Sequence, residues 1–294
     1  MPVTAVYGLV AIAAFFWGAN FVLAGPVLAD LPPLWAAALR FLFGMVIMFA
    51  IARWRGEDLA GPARRHAWAY ALLGAIGIGV FNVLFFYALQ ETSADNAALV
   101  MATNPLLTTL IAAVLLGERP TARHLAALPL ALFGVSVVIS EGDLGRLATL
   151  HVAHGDLLML GANLAWAFYN VLGRRYLPQG SPLANTTLVM SAGAAMLLVV
   201  GVGSGTTPSM PGATALLALT LMVVGGTVLA YLFWNIGIAR LGAGRTALFL
   251  NLVPVFAMLI GAAGGVPPTS AQMIGGMLVL GGVSLSMLPK RRMA

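Results

Sequence analysis

The sequence predicts an all-α integral membrane protein of ten transmembrane helices, and three observations carry that prediction. Hydrophobic residues make up 61% of the 294 positions and charged residues only 8%, whereas a soluble domain is about a quarter charged. Apolar stretches close to the ~20 residues needed to cross a hydrocarbon core recur along the whole chain. Threaded through a bilayer, they leave thirteen of the fifteen Lys and Arg residues on one side, which is the positive-inside pattern.

The expected spans are Ala5–Ala29, Leu34–Ala52, Trp68–Leu89, Asn96–Leu116, Ala122–Ser140, Asp156–Tyr176, Pro182–Gly203, Ala213–Ala239, Gly244–Gly264 and Ser270–Leu288. The first has no basic n-region and no small-residue cleavage site, so it reads as a retained helix. Arg53, Arg55, Arg64 and Arg65 separate the second span from the third. Arg119 and Arg123 follow the fourth, Arg174 and Arg175 the sixth, Arg240 and Arg245 the eighth, and Lys290, Arg291 and Arg292 the tenth. A loop with Glu141, Asp143, Arg146, His151 and His154 divides the chain in the middle. Both termini are therefore expected on the cytoplasmic side. Membrane strands would be about 10 residues long with strict alternation, and no such pattern occurs.

Shifted by 149 positions the chain matches itself: Trp17 meets Trp166, Pro33-Leu34 meets Pro182-Leu183, Gly44 meets Gly193, Phe85 meets Trp234 and Pro105 meets Pro254. Two five-helix repeats follow, residues 1–145 and 146–294. Five is odd, so the second repeat enters the membrane from the opposite side. Inverted repeats are a recurring plan of secondary transporters, in which two exchangeable halves expose a midplane site to either side.

Trp17-Gly18-Ala19-Asn20-Phe21-Val22, Pro33 with Arg40-Phe41, Tyr87-Ala88, Ala97-Ala98, Pro105 and Gly117-Glu118 mark the first half. Gly155-Asp156-Leu157-Leu158, Trp166-Ala167, Arg174-Arg175, Pro254 and Gln272 with Gly275 mark the second. In order and spacing these resemble the EamA-type members of the drug/metabolite transporter superfamily, over nearly the whole chain. The resemblance implies a multi-pass protein of the bacterial inner membrane that moves metabolites, drugs or amino acids, and it is closest to exporters of amino acids, aromatic ones included. Two positions depart from the pattern: Gly25-Pro26 stands where relatives commonly carry a basic residue, and Val266 stands opposite Glu118.

Polar and aromatic residues deep in the spans are the candidates for contact with solute, because in lipid each must face protein or a water-filled cavity. They are Trp17, Asn20, Asn82, Phe85, Met101, Asn104, Asn163, Trp166, Tyr169, Asn170, Tyr231, Trp234 and Asn251. A mid-membrane Asn also serves to bond helix to helix, and for Asn20, Asn163 and Asn251 both readings stay open. Trp35, Trp54 and Trp68 suit interfacial belts. Pro105 and Pro254 are hinge candidates.

No Asp, Glu, Lys or His is expected at mid-membrane, so the cavity suits a neutral or zwitterionic solute. Gradient-driven export follows, with proton exchange left open. Cysteine is absent, the histidines fall in loops or at helix ends, and no ATP-binding motif occurs. An enzyme, a metal site, a cofactor and a nucleic-acid partner are therefore not expected. The partners are the bilayer and a small solute, and a monomer suffices. A scaffold or receptor without transport is the rival class.

Overall fold

The computed structural model describes residues 1–91, 100–140, 143, 145, 154–265 and 268–287. Among them every regular element is helical. The first half holds α1 (Val3–Asp30), α2 (Pro33–Trp54), a short α3 (Ala60–Arg65) and α4 (Ala67–Gly74). The last runs through a π-helical stretch, Ala75–Val80, into α5 (Phe81–Glu91), and α6 (Asn104–Leu116) and α7 (Ala122–Ile139) follow. The second half holds α8 (His154–Tyr176), α9 (Pro182–Gly203), and α10 (Ala213–Leu221). A second π-helical stretch, Met222–Leu229, leads into α11 (Ala230–Leu241). Then come α12 (Ala243–Ala247), a 3₁₀ turn over Leu248–Asn251, α13 (Leu252–Ala263) and α14 (Ser270–Met287). The expectations for Glu141, Arg146, His151, Ala97-Ala98 and Val266 lie outside the described residues.

Six of these rods are long and apolar enough to cross a membrane: the segments beginning at Val3, Pro33, Ala67, Pro182, Ala213 and Ala243. Val100–Leu116, Ala122–Val137 and Ser270–Leu285 are shorter and also apolar. α8 has 23 residues, about 34 Å at 1.5 Å per residue, but it is less apolar. The reason is its position: Asn163, Trp166, Tyr169 and Asn170 are all buried on it, and only a helix enclosed by others carries so many polar groups in lipid.

The surface is inverted relative to a soluble protein. Phe43, Val46, Phe49, Val114 and Val199 are exposed, while Asn104, Asn163, Asn170, Thr187 and Thr227 are fully buried. Trp54 and Trp68 are exposed near the arginine-rich end, with the Arg55 guanidinium 5.6 Å from the Trp54 ring and Trp68 against Tyr176 at 4.9 Å. At the opposite end Trp35 donates to the Thr206 carbonyl at 2.7 Å.

Packing pairs recur at the 149-residue offset. α1 lies against α11 and α13, and α8 lies against α5 and α6; α2 packs on α9, and α7 on α14. Close approach is set by glycine. A Cβ at Gly44 would come 2.7 Å from Thr227 Cγ2, and at the shifted position Gly193 it would strike the Ile78 side chain. Gly134 sits on the Gly275 carbonyl and Gly282 on the Ala127 carbonyl. In lipid, where tails are as apolar as leucine, such contact replaces the hydrophobic drive between helices.

Gly44→Ala and Gly193→Ala are therefore expected to lower the thermal unfolding midpoint in detergent, by the ~1–3 kcal/mol typical of overpacking. Gly8→Ala and Gly203→Ala meet nothing within 4 Å and should be neutral or stabilising, as Ala favours helix by about 1 kcal/mol. Equal effects at all four positions would contradict the packing account.

Candidate functional site

Both π-helical stretches stand in the middle of their rods, and they correspond to one another in the repeat. A π-helical turn shifts hydrogen bonding from i−4 to i−5, widens the helix and loosens the hold on its carbonyls. In the second stretch the Gly226 carbonyl accepts from Trp17 Nε1 at 3.0 Å and from an Arg40 guanidinium nitrogen at 3.5 Å. Arg40 Nε also donates to Thr227 Oγ1 at 2.6 Å. Gly226 is required here, since a Cβ would overlap the Asn20 amide. At its counterpart Gly77 a Cβ would overlap the Tyr169 ring, and Asn20 and Tyr169 are themselves 149 positions apart.

Around this junction the rings form a continuous cluster. Trp17 contacts Trp234, Trp166 and Tyr231 at 4.8, 5.4 and 5.8 Å between centroids. Trp166 stacks on Tyr169 at 5.1 Å and leans on Phe81 at the same distance. Phe81 passes the contact to Phe85, and Phe41 closes the cluster edge-on to Tyr231. Trp234 Nε1 donates to Asn170 Oδ1 at 2.8 Å, and the Tyr169 hydroxyl donates to Asn235 Oδ1 at 2.8 Å. Asn235 in turn donates to Thr186 Oγ1 at 3.0 Å. Beside the cluster lies a cavity of about 20 Å³ bordered by Leu28, Ala37, Arg40, Phe86 and Met222. The rings touch one another, so a solute enters only if they part.

The halves differ in how the paired tryptophans are held. Trp17 has its acceptor at Gly226, but Trp166 Nε1 is buried with no partner, as are Asn20 Oδ1 and Asn170 Nδ2. Buried polar groups are seldom left so.

The structure thus gathers Trp17, Asn20, Phe85, Trp166, Tyr169, Asn170, Tyr231 and Trp234 about one centre. Asn82 lies at its edge, donating to the Ile78 carbonyl at 2.7 Å within the first π-helical stretch. Asn104 and Asn163 do something else. Asn104 donates to the Asn163 side chain at 2.6 Å, Asn163 donates to the Val100 carbonyl and to Thr103, and Thr108 donates back to Asn104. Together they bond α6 to α8. Met101 packs on Ala88, Met159 and Ala162, and Asn251 is buried at the end of the 3₁₀ turn with Oδ1 unpartnered. Pro105 and Pro254 are the second and third residues of helices that restart after a break, at Thr103 and at Leu248–Asn251. There a missing N–H costs no intrahelical bond.

Arg40 is the functional residue that the list of candidates left out. α2 begins at Pro33, and the long side chain carries the charge inward. Among the described residues no carboxylate pairs with it. Its sequence signal was the Arg40-Phe41 pair inside an otherwise uncharged span.

The EamA-like transporter family model matches the chain twice, over residues 4–140 and 153–288. An uncharacterized transporter, YyaM of Bacillus subtilis, is 39% identical over 272 residues, spanning 92% of this chain and 89% of that protein. The aromatic amino acid exporter YddG of Ancylobacter novellus is 26% identical, spanning 97% of this chain and 98% of its own length. A solved crystal structure shares the fold with a TM-score of 0.79 at 24% identity, covering 98% of both chains. With two matched segments that together cover most of its length, this chain belongs to the EamA-like transporter family.

Proposed function

We propose that the protein is a ten-helix secondary transporter with both termini cytoplasmic, formed by inverted repeats 1–145 and 146–294. It exports small zwitterionic solutes, foremost amino acids with aromatic or other hydrophobic side chains, across the bacterial inner membrane as a monomer. The observation that carries this reading is the convergence of Arg40 and Trp17 on the Gly226 carbonyl beside a cage of Trp166, Tyr169, Tyr231 and Trp234. A guanidinium without a carboxylate among the described residues suits a solute's carboxylate, and it disfavours an organic cation. The rings suit an apolar side chain, and their π-faces suit an ammonium group. The unpartnered Asn20 Oδ1 is a second acceptor for that ammonium.

Alternating access is supported by the swapped packing pairs and by the difference between Trp17 and Trp166. Two sequence-related halves held in different arrangements are what a transporter facing one side requires. Breaks ahead of Pro105 and Pro254 are the matching hinge positions. The exporter from Ancylobacter, by its name, supports the substrate class.

The test is flux of labelled L-phenylalanine, L-leucine, a sugar and an organic cation in proteoliposomes holding only this protein, with and without a pH gradient. Saturable movement of the amino acids is expected. Movement of the sugar or cation alone would overturn the substrate, and no flux from folded protein would favour a scaffold. Trp17→Ala and Trp166→Ala should each impair flux while the protein stays folded. Unchanged transport in both would reject the site.

Arg40→Gln should raise the half-saturating concentration of L-phenylalanine by about 10- to 100-fold, as expected when a hydrogen-bonded charge is lost. An equal effect on phenethylamine, which lacks the carboxylate, would contradict Arg40 as the anchor.

A further inference from the structure

A second polar site stands apart from the ring cluster, at the arginine-rich end of the bundle. It is a cavity of about 190 Å³ between the C-terminal end of α6, the start of α7 and the α11–α12 junction. That is several times the ~30 Å³ share of a water molecule. Its polar lining is Thr109, Glu118, Arg119, Thr121, His124 and Arg245, with Leu241 beside them.

Backbone geometry builds it. Gly117 ends α6 in the left-handed conformation at φ 65° and turns Glu118 back toward the bundle. Gly242, at φ 93°, leaves room for the Glu118 carboxylate against the α11–α12 junction, where a Cβ would stand 3.1 Å from Glu118 Oε1. Arg174 and Arg175, at the same end, are used as caps: Arg174 donates to the Ala239 carbonyl, and Arg175 to the Leu115 carbonyl at 2.7 Å. Arg119 and Arg245 make no such bond among the described residues, and no ion pair within 4.0 Å joins either to Glu118. His124 is 3% exposed, with Nε2 3.1 Å from Thr109 Oγ1 and Nδ1 unpartnered.

We infer that this cavity is an entrance subsite that holds the ammonium and carboxylate of a zwitterion before it reaches the rings. Glu118 receives the ammonium, and Arg245 with Arg119 receives the carboxylate. A dianion such as phosphate would face Glu118, and an amine alone would face two guanidinium groups. The inference rests on the transport reading above and commits to a soluble amino acid. A zwitterionic lipid headgroup has the same chemistry and is distinguished in the test.

The chain has no cysteine, so Leu241→Cys places one thiol in the cavity. Its alkylation by N-ethylmaleimide is timed in phosphatidylglycerol vesicles with L-phenylalanine, phenylacetate or phenethylamine. L-Phenylalanine should slow the reaction about tenfold at ten times its dissociation constant, and the other two should leave it unchanged. Glu118→Gln or Arg245→Gln in the same background should abolish protection, and Trp17→Ala should retain it. Thr121→Cys gives the same reading should the Leu241 variant fail to fold. Equal protection by all three compounds, none by the amino acid, or survival in both charge variants would overturn the site. So would protection that appears only with phosphatidylethanolamine, which would assign the cavity to lipid. The thiol reports occupancy whether or not the protein moves solute, so an absence of flux contradicts the transport reading alone.

Discussion

Inside a membrane a backbone carbonyl must find its partner within the protein, because each unsatisfied polar group in hydrocarbon costs several kcal/mol. The π-helical stretch Met222–Leu229 tests that rule, and the Gly226 carbonyl is where the structure answers it. Trp17 from α1 and Arg40 from α2 reach the same oxygen. That convergence draws two helices of the first half onto the rod α10–α11 of the second. It also fixes the Trp17 ring, on which the contacts to Trp166, Tyr231 and Trp234 depend. The small residues follow from it too: Gly226 lets Asn20 in, and Gly44 lets Thr227 lie against α2.

Much of this was legible in the sequence, for identifiable reasons. The segregation of arginines and the 149-residue offset are long-range patterns that need no coordinates. The central rings were found by asking which aromatic residues lie too deep for an interfacial belt. What could not be read is whatever depends on a partner helix. Ala75–Val80 and Met222–Leu229 look like ordinary apolar helix, and their wide turns form where Tyr169 and Asn20 press on glycine. Asn104 and Asn163 were each visible as buried amides, but that they bond to one another across 59 residues is a matter of packing. The prolines suggested kinks within continuous helices, whereas the breaks end two and three residues earlier, with the prolines opening the restarted helices.

Arg40 shows the same limit from the side of charge. Counted from Pro33 it is the eighth residue of α2, which places its backbone near an end. The side chain bridges the remaining distance to Thr227 and Gly226. The expectation of no Asp, Glu, Lys or His at mid-membrane said nothing of arginine, and among the described residues the centre carries the Arg40 guanidinium. On the proposed reading electrostatics does part of the selecting, since an isolated cation in so apolar a place is stabilised most by an anionic group brought in with the solute.

The central claim is that the two halves exchange arrangements about this cluster. Double electron–electron resonance between spin labels at engineered cysteine pairs, one pair spanning each end of the bundle, addresses it most directly. Labels joining the α6–α7 loop to the α11–α12 junction report the arginine-rich end, and labels joining Pro32 to Thr269 report the other. The account predicts two distance populations at each end, shifting in opposite senses when L-phenylalanine is added. A single unchanged distance at both ends, or both ends widening together, would contradict it.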